Sequence, residues 1–121
     1  MDNAVIEKIK EILASNKIKN VEILDLQFKS QLLNAIVVGT FSTNANARMI
    51  AGNIKNELEK EFEMEVAIDG EFPGEWIILD MGKIAIELFT EDKRNYYNLE
   101  KLWGDKQNKL AKLKLKKRKR I

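Results

Sequence analysis

Apolar side chains recur at helical spacing in three segments of the chain, and each stripe predicts an amphipathic helix. The first helix is predicted over residues 3–16. The second follows candidate capping residues at 42–44 and ends near Phe62, and the third begins after Thr90, which can cap it. The apolar stripe of the first helix consists of Val5, Ile6, Ile9, Ile12 and Leu13.

Shorter segments between these helices predict β-strands. VEILDL (21–26) and MEVAID (64–69) alternate apolar and polar residues in part, whereas LLNAIVVGTF (32–41) is more apolar and is expected to be more buried. GEWIILDMGKIAIELF (74–89) predicts a hairpin of two strands around a two-residue turn at Met81-Gly82. Only the segment from the second strand through the second helix to the third strand can form a right-handed parallel crossover.

The resulting element order, α β β α β β β α, predicts one domain over residues 1–105. We expect an α/β fold of the α+β type, with a mixed sheet of about five strands and three helices packed on it. The length of 121 residues suits one domain, and a hydrophobic content of 45% is sufficient for a core. Residues 106–121 are predicted to form a separate, flexible tail.

The two faces of the predicted hairpin differ in chemistry. With a turn at Met81-Gly82, Asp80 pairs with Lys83 and Trp76 pairs with Glu87. Because side chains alternate across a sheet, one face is entirely aliphatic and packs on the core. The other face combines a tryptophan with charges, beside an acidic loop, which is typical of a binding patch for a basic partner. The alternative is a half-exposed sheet whose tryptophan packs under the Phe-Pro loop. The residues of the predicted patch are Glu71, Glu75, Trp76, Asp80, Lys83 and Glu87.

Composition excludes several kinds of chemistry. The chain has no cysteine, which excludes disulfides, a thiol nucleophile and cysteine-bound zinc, and it has no histidine, the commonest general base at neutral pH. No apolar run approaches the roughly 18–20 residues of a membrane span, and the charged start MDNAVIEKIKEIL is unlike a signal peptide. We therefore expect a soluble, cytoplasmic protein that is not an enzyme and that uses no cofactor or metal.

A nucleotide-binding or nucleotidyltransferase-type domain is the alternative function. VVGTFSTNAN (37–46) follows a strand and opens a helix, where backbone N–H groups can hold an anion, but it contains neither GxGxxG nor a Walker lysine. Nucleotidyltransferases also need closely spaced carboxylates for two metal ions. Here no acidic residue follows Thr40 until Glu57, on the predicted helix, and this spacing argues against such catalysis.

Charge is divided unevenly along the chain. The last 16 residues, KQNKLAKLKLKKRKRI, carry nine basic and no acidic side chains, so residues 1–105 hold the other 12 basic and all 19 acidic ones. A +9 tail therefore follows a body of net charge −7, and it either contacts RNA, docks on the body or stays solvated. RNA binding through the tail alone is a third function, although no aromatic residue is present for base stacking. The candidate RNA-contacting residues are Lys112, Lys114, Lys116, Lys117, Arg118, Lys119 and Arg120.

Four segments between residues 21 and 103, taken together, form a specific sequence pattern: VEILDL (21–26), DGE (69–71), GEWIILDMG (74–82) and RNYYNLEKLW (94–103). The most specific parts are the Glu-Trp pair, the strand that ends in Asp-x-Gly, and the YxLExLW helix. This pattern resembles the ribosomal silencing factor S family, also called the Iojap family. The resemblance implies a fold related to nucleotidyltransferases but without their catalytic carboxylates.

The same resemblance implies a function and a partner. Members bind the large ribosomal subunit through its ribosomal protein numbered fourteen, at the surface where the small subunit docks. They thereby block subunit joining and reduce translation when nutrients are scarce, and homodimers occur among them. The implied contacts are Trp76 with Gly70, Glu71 and Asp80 around it. The matching positions of the last helix, as core or interface, are Tyr97, Leu99, Leu102 and Trp103, with Arg94 and Glu100 as a surface pair.

The chain departs from the family pattern at a few positions. An acidic residue and an aromatic are usual at Asn34-Ala35, a Thr-Gly-x-Ser turn at 40–42, and an Arg-His-like pair near Ala45-Asn46. A family histidine falls at Glu87. The hairpin and the last helix otherwise keep the pattern, and the resemblance does not extend to the basic tail. We therefore predict a ribosome-binding translational repressor, with the nucleotide-related and RNA-binding functions as alternatives.

Overall fold

The computed structural model describes residues 3–26, 33–42, 45–70 and 75–97. The order of its helices and strands matches the order predicted from the sequence, and the mixed α+β class with five strands and three helices is confirmed. Within the described ranges, no helix has the length and apolar content needed to cross a membrane. The elements are α1 (Asn3–Ser15), β1 (Lys19–Asp25), β2 (Ala35–Phe41), α2 (Ala47–Phe62), β3 (Ala67–Asp69), β4 (Trp76–Asp80), β5 (Ile84–Thr90) and α3 (Glu91–Tyr97).

The five strands form one sheet in the order β1-β2-β5-β4-β3. β2 and β5 lie next to each other and run parallel, whereas the other neighbouring pairs are antiparallel. These pairings make β2 and β3 parallel to each other, with α2 between them in the chain and two strands between them in the sheet. The predicted parallel connection from the second strand to the third is therefore present. Because β2 and β5 are parallel, their carboxyl ends meet at one edge, where Phe41 lies opposite Thr90.

Apolar side chains pack on both faces of this sheet. On the first face, α1 and α2 cover the aliphatic side of the hairpin. The stripe predicted for α1 faces this core as its spacing indicated, with Val5 partly buried and its other members buried. The second face carries a separate cluster that consists of Leu26, Leu33, Ile36, Val38, Ala85 and Phe89, with Leu24 and Trp76 packed against it. Burial of each large side chain contributes about 1.5–3 kcal/mol, so both faces stabilise the domain.

The helix ends use backbone geometry that the sequence only partly predicted. Lys17 adopts a positive φ of 64° after α1, and the Ile18 N–H donates to the Leu13 carbonyl at 3.0 Å, which closes the helix in a Schellman motif. The predicted cap of α2 at 42–44 is wrong. Asn46 is the N-cap, since its extended backbone lets its side-chain oxygen accept a 3.1 Å hydrogen bond from the Met49 N–H.

The register of the β4–β5 hairpin differs from the predicted one by two positions. Asp80 lies opposite Ala85 rather than Lys83, and Trp76 lies opposite Phe89 rather than Glu87. A two-residue type I′ turn would require positive φ at Met81, but only Gly82 has it, at 92°. The Met81 N–H instead donates to the Ile84 carbonyl at 2.9 Å, so the two central residues of the turn are Gly82 and Lys83, and the side chain of Asp80 accepts a 2.8 Å bond from the Gly82 N–H. A shift of two keeps the alternation, so the predicted division into two faces is retained.

Glu59 joins the end of α2 to the segment that leads into β3. Its carboxylate accepts hydrogen bonds from the Lys55 ammonium at 2.7 Å and from the Val66 backbone N–H at 2.9 Å. These hydrogen bonds hold the pKa of Glu59 below its ordinary value of 4.5, and the bond from Lys55 contributes more than the bond from Val66. Because the folded-state pKa is the lower one, the stabilisation is complete above about pH 4.5 and is lost as the pH falls through the folded-state value.

We therefore expect Glu59→Gln to be less stable than the parent at neutral pH, with a difference that shrinks below pH 4.5. Urea denaturation at a series of pH values measures this difference. Glu65→Gln, the same change of charge at an exposed position nearby, serves as the control and should give a smaller difference. A Glu59→Gln difference that stays constant with pH would contradict the role of the ionised carboxylate.

Gly39 lies in β2, at the point where this strand packs against the segment that follows α1. A Cβ atom built there would overlap the Cγ2 methyl of Ile18 and lie 3.2 Å from Cδ2 of Leu88, both of which are buried. We expect Gly39→Ala to lower the free energy of unfolding by about 1–3 kcal/mol through overpacking. Gly52→Ala is the matched control, because nothing lies within 4 Å of its Cβ position in α2. The control should raise stability by about 0.5–1 kcal/mol, and equal urea midpoints for the two variants would refute the close packing at Gly39.

Candidate functional site

Trp76, at the start of β4, is held by two neighbours on the second face of the sheet. Its ring stacks on Phe89, with ring centroids 5.3 Å apart and an interplanar angle of 21°. Its Nε1–H donates a 2.8 Å hydrogen bond to Oε1 of Glu87. Phe89 is directly opposite Trp76, while Glu87 is the diagonal neighbour two residues away on the same face. These contacts fix the orientation of the indole.

The charges on this face are more buried than the sequence predicted. Glu87 is 0% exposed and Asp80 is 8% exposed, so neither carboxyl group supplies the surface charge that the predicted binding patch requires. Both side chains lie on the second face, where the neighbouring residues Ala85 and Phe89 are also buried. A buried carboxylate is costly unless it is hydrogen-bonded. The Trp76 indole supplies such a bond to Glu87, and the Asp80 carboxylate binds the Gly82 N–H in the turn.

The accessible part of the predicted patch is smaller and lies at the start of the hairpin. Glu75 is exposed and lies 3.7 Å from the Lys93 ammonium of α3, while Trp76 is half-buried. We call Glu75, Trp76 and Lys93 the Trp76 surface. Lys83 is also exposed but belongs to the turn at the opposite end of β4, about 17 Å away at 3.4 Å per residue, so the structure does not bring it to this surface.

The other predicted contact residues are placed differently. Gly70 is half-buried after β3, with a φ of 79° and an N–H that donates to the side chain of Asp69 at 2.8 Å. Tyr97 is the last residue of α3. The remaining predicted residues lie outside the described ranges: Glu71, Leu99, Leu102 and Trp103, and the tail residues Lys112, Lys114, Lys116, Lys117, Arg118, Lys119 and Arg120.

Arg94 ties α3 to the first two strands. Its Nη1 group donates to the backbone carbonyl of Asn20 and, at 2.9 Å, to the hydroxyl of Thr40, and its Nη2 atom lies 3.7 Å from a carboxylate oxygen of Glu22. The predicted pairing with Glu100 lies outside the described residues. The sequence contained no signal for the contacts of Arg94 across the sheet. The sequence did contain a signal for the position of Phe89, because strict alternation along the strand places Phe89 on the same face as Glu87.

The described ranges contain no group of three or more His, Cys, Asp and Glu side chains arranged to hold a metal ion. The Trp76 surface presents an oriented, partly exposed indole beside a carboxylate and an ammonium group. Tryptophan is a frequent anchor in protein interfaces, and exposed charges around it affect the rate and specificity of association.

Comparison with known proteins decides the family. The family model described as "Ribosomal silencing factor during starvation", RsfS, matches residues 2–121. The chain belongs to the RsfS family. The match extends beyond residues 21–103, which carry the sequence motifs, and includes the basic tail. RsfS is a family of regulatory, non-enzymatic proteins, and membership places this chain in the regulation of translation at the ribosome.

Individual relatives agree with this assignment. The ribosomal silencing factor RsfS of Bacillus subtilis is 29% identical over 82 residues, covering 68% of this chain and 70% of the relative. RsfS of Chromobacterium violaceum is 27% identical over 101 residues, covering 84% and 83%. A crystal structure of a protein from Chromobacterium violaceum superposes with a TM-score of 0.75 and 25% identity, covering 86% of this chain and 88% of that one.

Proposed function

We propose that this RsfS-family chain binds the large ribosomal subunit at its subunit-joining surface, blocks association with the small subunit and thereby represses translation. The match of the family model across residues 2–121 is the observation that carries the proposal. The proposed direct partner is the large-subunit ribosomal protein numbered fourteen, with additional contacts from the basic tail to ribosomal RNA. The protein would act where ribosomes are, in the cytoplasm.

The Trp76 surface is the proposed centre of this contact among the described residues. The Trp76 ring is held by Phe89 and Glu87 before any partner arrives, so little side-chain freedom remains to be lost on binding. Residues 1–105 carry a net negative charge, which suits a basic partner. Glu75 contributes to that charge at the edge of the surface, where it is solvent-exposed.

A sucrose-gradient experiment with purified ribosomal subunits tests the function. The full-length protein is added to small and large subunits before magnesium promotes their joining. We expect the protein to sediment with the large subunit and to reduce the fraction of joined ribosomes in a dose-dependent way. Sedimentation with neither subunit, or unchanged joining at saturating protein, would refute the proposal.

Charge reversal at Glu75 tests the location of the contact. Glu75→Lys should weaken binding to the large subunit by about tenfold, a loss of about 1.4 kcal/mol, because a like charge then faces the basic partner. The fold should be intact, since an exposed ion pair such as Glu75–Lys93 contributes at most about 1 kcal/mol. The loss of affinity should be larger at low salt than at high salt.

Glu11→Lys is the matched control for this test. It makes the same change of charge at an exposed position of α1, the helix that covers the opposite face of the sheet. Equal weakening by Glu75→Lys and Glu11→Lys would indicate a general charge effect and would contradict the Trp76 surface as the contact.

A further inference from the structure

The second face of the sheet is buried at its centre and accessible at both edges. One row of side chains crosses all five strands there, because the register places Glu22, Val38, Glu87, Ile78 and Asp69 side by side. The three central residues of this row are no more than 2% exposed, whereas Glu22 is exposed and Asp69 is half-buried. Side chains on an uncovered sheet face stay partly accessible, so part of the protein lies across the middle strands.

The described helices cover little of this face. α1 and α2 pack on the opposite face. α3 contacts the second face near the carboxyl end of β2, where Arg94 donates to Thr40, and its seven residues span only about 10 Å. The buried cluster extends to Leu33, which precedes Thr40 by roughly 23 Å of extended chain. Most of the cover therefore comes from chain outside the described ranges.

Residues 98–121 are the longest segment outside the described ranges, and they begin directly after α3. Each of the other segments, 1–2, 27–32, 43–44 and 71–74, has six residues or fewer. A six-residue loop tied at both ends extends about 10 Å from its anchors, which is too short to cover the middle strands from end to end. Residues 98–121 can span roughly 80 Å when extended, so their length is sufficient.

Charge complementarity favours the same segment as the cover. The second face carries Asp69, Asp80 and Glu87 on three neighbouring strands, and the latter two are buried. The indole and backbone N–H groups that donate to these two carboxylates are neutral, so those bonds leave the negative charge in place. Residues 98–121 contain ten basic and two acidic side chains. A covering segment of this composition places positive charge over the carboxylates.

The order of residues in this segment also matches the layout of the face. Leu99, Leu102 and Trp103 come first after α3, and the basic run 106–121 follows them. On the sheet, the apolar cluster occupies β1, β2 and β5, and the carboxylates lie beyond it toward β3. A segment that starts at α3 can therefore cover the apolar area first and the acidic area second.

We propose that residues 98–121 lie across the second face of the sheet in the free protein. The apolar residues that precede Gly104 pack over the cluster around Phe89, and the basic run 106–121 pairs with the carboxylates on β3, β4 and β5. The same run is the one proposed to contact ribosomal RNA, so RNA and the acidic area compete for it. The placement on the sheet does not depend on the proposed ribosomal function.

Double-mutant cycles in the full-length protein test the apolar contact. Val38 and Val37 are a matched pair, because both are fully buried valines of β2 and they lie on opposite faces of the sheet. Urea denaturation measures the unfolding equilibrium. We expect coupling of about fivefold or more in the equilibrium constant between Val38→Ala and at least one partner substitution, and none with Val37→Ala. The partner substitutions are Leu99→Ala, Leu102→Ala and Trp103→Ala.

Cysteine cross-linking tests the position of the basic run, because the chain has no cysteine of its own. Lys112→Cys is combined with Ala67→Cys, at an exposed position of β3 on the second face, or with Glu11→Cys, exposed on α1. A short bismaleimide should link the pair with Ala67→Cys about fivefold more efficiently. This preference should shrink in about 1 M NaCl, which screens the charges, and poly(U) RNA should lower the yield about twofold or more.

Either of two results would overturn the proposed placement. One is additive cycles for all three partner substitutions with Val38→Ala. The other is equal cross-linking of Lys112→Cys to both faces, which would indicate a solvated tail. A yield that saturating poly(U) leaves unchanged would overturn the competition with RNA. The sucrose gradient measures ribosome binding separately, so a chain that fails these tests but still blocks subunit joining would disprove the placement and leave the proposed function standing.

Discussion

Replacement of Phe89 by alanine is expected to lower the free energy of unfolding by about 3–5 kcal/mol, the usual cost of truncating a buried phenylalanine. Phe89 is 0% exposed in the centre of the second cluster, with Thr40 on β2 and Trp76 on β4 as its neighbours across the sheet. The truncation leaves a cavity in the cluster and removes the aromatic stack. Because domains of this kind are stable by only about 5–15 kcal/mol, this loss is a large fraction of the total.

Urea denaturation followed by circular dichroism measures this effect. Met49→Ala is the control, because Met49 is also a large hydrophobic residue but is 58% exposed on α2, so its truncation should change stability by no more than about 0.5 kcal/mol. A loss below about 1 kcal/mol for Phe89→Ala would mean that the second face is not packed as described. The same variant should also weaken large-subunit binding, since Trp76 loses its support.

Trp76→Phe also has a large expected effect, about 1–3 kcal/mol, the usual cost of leaving a buried hydrogen-bonding group without its partner. The substitution keeps an aromatic ring for stacking on Phe89 but removes the N–H that donates to the buried carboxylate of Glu87. Thermal and urea unfolding measure the loss.

A double-mutant cycle with Glu87→Met isolates the contribution of this hydrogen bond. In the Glu87→Met background the carboxyl acceptor is absent, so Trp76→Phe should cost less there. The cycle subtracts the effects of Glu87→Met on its other contacts. Additive losses would show that the Trp76–Glu87 bond contributes nothing to stability.

This cycle and the Glu75→Lys test together separate two interpretations of Trp76 that the sequence left open. In one, the tryptophan is an interface anchor, and in the other it packs within the domain. The stack on Phe89 and the bond to Glu87 show that Trp76 packs within the domain, while its half-exposed position leaves part of the ring accessible. We expect both roles to apply, so Trp76→Phe should alter stability and binding, whereas Glu75→Lys should alter binding alone.

Much of the fold could be predicted because its signals are local. The helical spacing of Ile9 and Leu13 and the alternation along the hairpin depend only on neighbouring residues, and each identified its element and its buried face. The cap of α2 was misplaced for a related reason. Several residues at 42–46 can act as caps, and only the backbone conformation of Asn46 selects one of them. The division of the hairpin into two faces survived a wrong register, because a shift of two positions leaves the alternation unchanged.

The candidate site was less predictable, because it depends on which segments meet in space. No local pattern indicates that Arg94 contacts Asn20 and Thr40, which lie more than 50 positions away in the chain. The sequence showed that one face of the hairpin combines a tryptophan with charged residues, but it could not show which of those side chains are exposed to solvent.

The sequence by itself determined the order of the elements, the two faces of the hairpin, the family resemblance and the separation of an acidic body from a basic tail. These properties follow from residue identity and short-range periodicity. Only the tertiary structure decided that Glu87 is an internal acceptor for Trp76 and that Glu75 and Lys93 are the accessible charges beside it. The physical reason is that a residue's exposure is set by the packing of both faces of the sheet, whereas its alternation is set by the strand alone.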